Sequence, residues 1–295
     1  ARRKILALAL TVLTVFCLAA PARAERLVLT DMAGREVSLE GPARRIVALQ
    51  PGDCEILFAI GAGGLLVGRG EYCNYPEEVI DLPSAQSGFE INVEQIIALE
   101  PDVVIMTKMA QREEDAKKLE VARISVIISD AQTIGGVYAG IELLGRVTGF
   151  EEEAGRLIGE MQASFAQIKE KAGGTPGGSI YFEASPLEYG LWTAGAGTFM
   201  DEIAQMLNLT NAFADLTGWQ PVSEEQVISR DPDYIVTTAI DFGLGLTPVE
   251  EVLSRPGWSG MKAVKSGKVF NADADAITRP GPRLAEAARD LYDFI

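Results

Sequence analysis

Beyond residue 24 the chain alternates short runs rich in β-branched and aromatic residues with segments whose apolar positions recur every three or four residues. That alternation predicts α/β architecture with mainly parallel sheets. Strands are predicted at 46–49, 103–106, 126–129, 179–183, 234–238 and 269–271. Between Glu151 and Ala172 the pattern changes, because Ala154, Leu157, Ile158, Met161, Phe165 and Ile168 fall on one face of a single long helix. At 1.5 Å per residue such a helix is about 33 Å long, enough to cross a small domain. The glycine-rich stretch 171–179 ends it and starts a new region.

A repeat flanks that helix. Residues 91–105 read INVEQIIALEPDVVI and residues 222–236 read VSEEQVISRDPDYIV, with the Glu-Gln and Pro-Asp pairs in register at an offset of 131. Two related lobes joined by a rod follow from this arrangement. Each copy opens on a helix-start signature, Asn92 with Gln95 and Ser223 with Gln226, so Glu94 and Glu225 fall in the first helical turn. A carboxylate there complements the helix dipole, worth about 0.3–1 kcal/mol. Two exposed carboxylates at equivalent places could equally serve a partner with matching cations. The pattern alone leaves both roles open.

Residues 1–24 read as a secretory leader, with Arg2, Arg3 and Lys4 before an apolar run from Ile5 to Ala20 and a small-residue cleavage site at Ala22-Arg23-Ala24. The run is shorter than the roughly 20 residues that span a bilayer. Val15 and Phe16 before Cys17 are not the small residues of a lipidation site. The formal net charge is −16 and becomes more negative without the leader, a surface that repels nucleic acid and anionic lipid. In the exported chain Cys54 and Cys73 are open to three states: a disulfide, buried free thiols or metal ligands.

Histidine is absent, which excludes His-based zinc or iron sites and Ser-His or Cys-His nucleophiles. Gly61 to Gly64 follow a helical pattern and read as a helix stop, and Gly195-Ala196-Gly197 lacks the lysine of a phosphate loop. No constellation for an enzyme is expected, nor a cofactor of the chain's own.

Six segments carry a family resemblance: RIVALQPGDCEILFAIGAGGLLVG (45–68), EYCNYPEE (71–78), VEQIIALEPDVVI (93–105), WTAGAGTFMDEIAQMLNLTNAF (192–213), WQPVSEEQVISRDPDYIV (219–236) and PGPRLAEAARDLY (280–292). Together they resemble the class III periplasmic substrate-binding proteins of ABC importers for vitamin B12, ferric siderophores and haem. The resemblance implies two Rossmann-like lobes with mainly parallel sheets joined by a single long backbone helix. The expected division is leader 1–24, first lobe 25–150, connecting helix 151–172 and second lobe 173–295. It also implies a monomer in the periplasm, or on the cell surface where there is no outer membrane. One glutamate on each lobe, here Glu94 and Glu225, would dock on arginines of the membrane permease.

In the B12-binding members the cleft is lined by aromatic residues at places matching Tyr72, Trp192 and Trp219. Two further tryptophans of that pattern are missing: Thr107 and Lys108 stand in one place, and Phe89 lies beside the other. Tyr189 and Phe242 are additional loop aromatics. Arg69, Lys108, Arg279 and Arg283 are the cations that an anionic siderophore would need, and with no histidine a haem iron would fall to a tyrosine such as Tyr72. The expected cargo is a cobalamin or other corrinoid, with ferric siderophore and then haem as alternatives. An exported module that binds proteins or senses without transport is the reading from another class.

Overall fold

The structure, a computed structural model, describes residues 26–88, 90–108, 113–174, 176–243 and 245–295. The predicted leader and Phe89 lie outside them. The first part of the chain forms β1 (Leu27–Thr30), β2 (Glu36–Leu39), β3 (Ile46–Ala48), β4 (Leu66–Arg69), β5 (Gln86–Ser87), β6 (Glu90–Ile91), β7 (Val103–Met106) and β8 (Ser125–Ile128). The second part forms β9 (Gly178–Glu183), β10 (Trp192–Ala194), β11 (Leu209–Asn211), β12 (Trp219–Pro221), β13 (Tyr234–Thr237) and β14 (Val269–Asn271).

Two four-stranded sheets result, ordered β4-β3-β7-β8 and β11-β9-β13-β14, and every pairing within them is parallel. Numbered within its own lobe, each sheet has the order second-first-third-fourth. The duplication read from 91–105 and 222–236 thus extends to topology. β3, β7 and β13 are buried along their whole length, which is why they appear as unbroken apolar runs. β4 and β11 were not predicted. Both are edge strands of 4 and 3 residues, one containing Gly68 and the other ending in polar Thr210 and Asn211, so neither has an apolar run to announce it.

The repeat has identifiable structural work. Asp102, just ahead of β7, accepts the backbone N–H groups of Arg44 and Arg45 at 2.7 and 2.9 Å. Its equivalent Asp233, ahead of β13, accepts the N–H of Ser179 at 2.8 Å. Each aspartate pins the third strand of its sheet to the start of the first. Those bonds, led by the Ser179 N–H, hold the Asp233 carboxyl below its ordinary range. Two residues earlier, Glu100 and Asp231 both adopt left-handed backbone, φ 48° and 44°, to end equivalent helices where glycine would be more usual. The helix starts differ slightly. Ser223 and Gln226 complete both bonds of a capping box, whereas at Asn92 the side chain accepts from Gln95 N–H as a simple cap.

Between the sheets runs the 22-residue helix Glu151–Ala172, with Ala154, Met161, Phe165, Ile168 and Ala172 buried on one side. Three glutamates open it and Lys169 and Lys171 lie in its last turn, matching the helix dipole at both ends. Its buried side belongs to one apolar core that includes Ile46 and Ile105 of the first sheet and Ile180 and Val236 of the second.

Two sets of polar ties also join the lobes. On one side Gln132 accepts at its carbonyl from Phe199 N–H (2.8 Å) and at Oε1 from Trp219 Nε1 (3.1 Å), while Ile134 N–H donates to Glu202. On the other, Glu55, only 3% exposed, receives Arg283 at 2.7 and 2.9 Å and Arg279 at 3.2 Å. The Glu55 bonds raise the Arg283 pKa above its ordinary value. Beside them Gly52 lies so close to Pro280 that a Cβ would come within 2.8 Å of its carbonyl oxygen.

Replacing Glu55 by Ala leaves two arginines without their shared anion and should destabilise the protein by about 3 kcal/mol. Gly52→Ala should also lower stability, through displacement of the Pro280 segment. Both are read as shifts in the urea unfolding midpoint at unchanged slope.

Candidate functional site

In open parallel sheets ligands bind beyond the carboxyl ends of the strands. A cavity of about 480 Å3 lies there, between the lobes. The first lobe contributes Leu49 to Asp53 after β3, Thr107 after β7 and Ser129 to Gln132 after β8. The second contributes Ala184 and Ser185 after β9, together with Trp192, Phe199 and Trp219. Arg279 and Pro280 close it from the C-terminal side.

Tyr72, Trp192 and Trp219 come together in this wall. β10 and β12 pair antiparallel, with Trp192 opposite Pro221 and Ala194 opposite Trp219, so a two-stranded ribbon carries both tryptophans. Trp219 is fixed by its bond to Gln132 and by Phe199, whose ring centroid is 5.4 Å away at 60°. Trp192 remains 43% exposed and Tyr72 51% exposed, as suits rings that present a face to a ligand. The Tyr72 loop is held through its backbone carbonyl, which accepts from Arg279 at 3.2 Å.

Lys108, Tyr189 and Phe242 do not belong to the cavity wall. They lie on loops leaving the carboxyl ends of β7, β9 and β13 and are exposed. The cations expected for an anionic ligand are also committed elsewhere. Arg69 donates to the carbonyls of Gly70, Glu71 and Ile80. Arg279 is held by Glu55, Asp275 and Asn74, and Arg283 by Glu55.

Polar residues of the wall absent from the sequence-based candidates include Asp53, Gln86, Asp130 and Gln132. Their places close after strands or in a short hairpin are the only signal the sequence carries for them. Asp53 is buried, accepts from Ser129 Oγ at 2.6 Å through Oδ1, and leaves Oδ2 without a partner among the described residues. Burial pushes its carboxyl up to about 7, against the pull of the Ser129 bond and with help from the neighbouring charge of Asp130.

Cys54 and Cys73, both free and buried, sit behind this wall, where each thiol lies near the carbonyl of Ala48. Hydrogen bonding to Cys73 and burial raise the Cys54 pKa well above its usual value. Among the described residues no group of three or more His, Cys, Asp or Glu side chains is arranged to hold a metal ion.

Glu94 and Glu225 are both exposed, each the second residue of its short helix. Hydrogen bonding from Ser223 lowers the Glu225 pKa. Its neighbour Glu224 has a structural task, accepting Trp258 Nε1 at 2.9 Å.

Comparison with known proteins agrees with this architecture. The chain is 35% identical over 271 residues to an uncharacterized ABC transporter substrate-binding lipoprotein, YvrC, of Bacillus subtilis, covering 90% of this chain and 84% of that one. It is 28% identical to a vitamin B12-binding protein of Vibrio campbellii, over 86% and 90% of the two chains. The structure of the periplasmic haem-binding protein RhuT of Roseiflexus sp. RS-1, in apo form, superposes with a TM-score of 0.74 at 25% identity, over 85% of this chain and 97% of that one. The periplasmic binding protein family model matches residues 46–276, and the chain belongs to that family.

Proposed function

We propose that the chain is the extracytoplasmic solute-binding protein of an ABC importer and that it captures a cobalamin or related corrinoid in the cleft between its lobes. One observation carries the choice of cargo. The cavity presents Tyr72, Trp192 and Trp219, while Arg279, the cation in its wall, is neutralised by Glu55 and Asp275. A broad, uncharged or cationic macrocycle gains from aromatic faces and needs no counter-cation. A polyanionic ferric siderophore would enter a wall already holding Asp53 and Asp130. Haem is the second reading, favoured by the Tyr72 hydroxyl as an axial ligand, though its carboxylates meet the same shortage of cations.

Titration of the purified protein with cyanocobalamin, haem and a ferric siderophore, followed by absorbance, tests this directly. Cyanocobalamin should bind with a Kd of about 1 μM or below, and Trp192→Ala combined with Trp219→Ala should weaken it by about tenfold or more. Tighter binding of either iron complex would replace the corrinoid reading.

Delivery is assigned to Glu94 and Glu225. Their support is the shared offset and the exposure of both side chains. Each helix leads within a few residues into the amino end of β7 or β13, so its own start lies toward the cleft-bearing edge. The permease would offer arginines to this pair. Among the described residues no helix is long and apolar enough to cross a membrane.

Reversing both charges, Glu94→Lys with Glu225→Lys, should abolish uptake by reconstituted permease vesicles while ligand affinity stays within about twofold, and wild-type docking should weaken as salt shortens the Debye length to about 8 Å and below. Full uptake by the double variant would remove the docking role.

A further inference from the structure

The helices that carry Glu94 and Glu225 are short, six residues over Val93–Ala98 and seven over Glu224–Arg230. Helices of this length have little stability of their own, so contacts with the rest of the lobe set their direction. Successive residues on a helix point about 100° apart. In both copies the residue before the glutamate, Val93 or Glu224, is half-buried while the glutamate itself is exposed. Whatever holds that preceding residue therefore decides where the glutamate points.

The two lobes hold it by different means. Val93 packs against the apolar cluster that includes Ile96, Val104 and Leu119. At the same offset of 131 the second lobe has Glu224, whose Oε2 accepts from Trp258 Nε1 at 2.9 Å. Trp258 is buried among Val227, Val252 and Met261, and the guanidinium carbon of Arg255 lies 4.5 Å from its ring centroid. Arg255 is anchored in turn on buried Glu183, the last residue of β9, at 2.6 and 3.0 Å. The indole is thus a fixed donor. At the other end of the same helix, Lys262 N–H donates to Asp231 at 2.7 Å and Ala263 N–H to the Pro232 carbonyl at 3.2 Å. The segment from Trp258 to Ala263 grips the helix at both ends.

We propose that Trp258 is a positioning residue for delivery: its bond to Glu224 fixes the rotation of the helix Glu224–Arg230 and with it the direction in which Glu225 meets a cation of the permease. The assignment deepens the docking reading of Glu225 and rests on it. Without the indole donor, the half-buried carboxylate of Glu224 turns to water to recover its hydrogen bond, and the start of the helix follows it. Glu94 has no comparable dependence, because the packing of Val93 requires no donor.

The test is equilibrium binding of the ligand-free protein to permease reconstituted in vesicles, at low salt. Trp258→Phe removes the donor and keeps a ring beneath Arg255. Glu224→Ala removes the acceptor without disturbing the core, and Glu224→Gln removes the charge but keeps an oxygen that can accept. Trp258→Phe and Glu224→Ala should each weaken docking about fivefold, while Glu224→Gln should stay within about twofold of wild type. In a Glu225→Ala background, itself weakened about tenfold or more, neither Trp258→Phe nor Glu224→Ala should weaken docking further. A merely structural role would lower the urea unfolding midpoint and leave docking of the folded protein unchanged in both backgrounds.

Docking unaffected by Glu225→Ala would overturn the docking reading and the positioning role with it. If Glu225→Ala weakens docking but neither Trp258→Phe nor Glu224→Ala does, or if their effects persist in full beside Glu225→Ala, the positioning role falls and the docking role of Glu225 stands. Equal losses in Glu224→Gln and Glu224→Ala would make the Glu224 charge a direct contact and likewise overturn the role of Trp258.

Discussion

The burial of Glu55 beneath two arginines from the far end of the chain is the constraint on which the cleft depends. Glu55 belongs to the first helix after β3, and its partners Arg279 and Arg283 lie more than 220 residues later. A carboxylate this buried is tolerated only when paired and hydrogen-bonded. Pairing brings the C-terminal segment across the lobe boundary, seats Pro280 against Gly52 and lets Arg279 hold the carbonyl of Tyr72. The same bonds remove positive charge from the cavity. One ion-pair cluster therefore both shapes the site and sets which ligand charges it can accept.

Duplication explains the framework but not the cavity. Asp102 and Asp233 pin corresponding strands, Glu100 and Asp231 end corresponding helices, and the two sheets share one strand order. The walls have nonetheless diverged. The first lobe supplies most of the polar surface, through Asp53, Thr107, Ser129 and Asp130, whereas Trp192, Phe199 and Trp219 come from the second. A ligand held between them would meet mainly polar groups together with Tyr72 on one side and the rings of Trp192, Phe199 and Trp219 on the other.

The sequence made the architecture legible because buried parallel strands are nearly all apolar and the connecting helix has one clear apolar face. Ile46–Ala48, Val103–Met106 and Glu151–Ala172 announce themselves in this way. The edge strands at Leu66 and Leu209 do not, because only part of each is buried and hydrogen bonding to a neighbour completes them. In the site, Trp192 and Trp219 stood out as large rings beside loop signals, yet Tyr189 and Phe242 share that appearance and lie outside the wall. What separates them is the path of each loop, set by contacts such as Trp219 to Gln132 across the lobes. Asp53 and Glu55 were hidden for the same reason: their surroundings come from residues remote in sequence.

The two lateral ties and the shared core constrain how such a cleft can work. Because Met161 and Phe165 of the connecting helix lie in one apolar core with residues of both sheets, swinging the lobes apart would expose buried surface. At about 25 cal/mol per Å2, even 200 Å2 of new apolar exposure costs about 5 kcal/mol, before any loss of the Gln132 or Glu55 bonds. The walls therefore stand near their working separation before a ligand arrives. Recognition then draws on preorganised groups rather than on wide closure, and binding free energy is not consumed in moving domains.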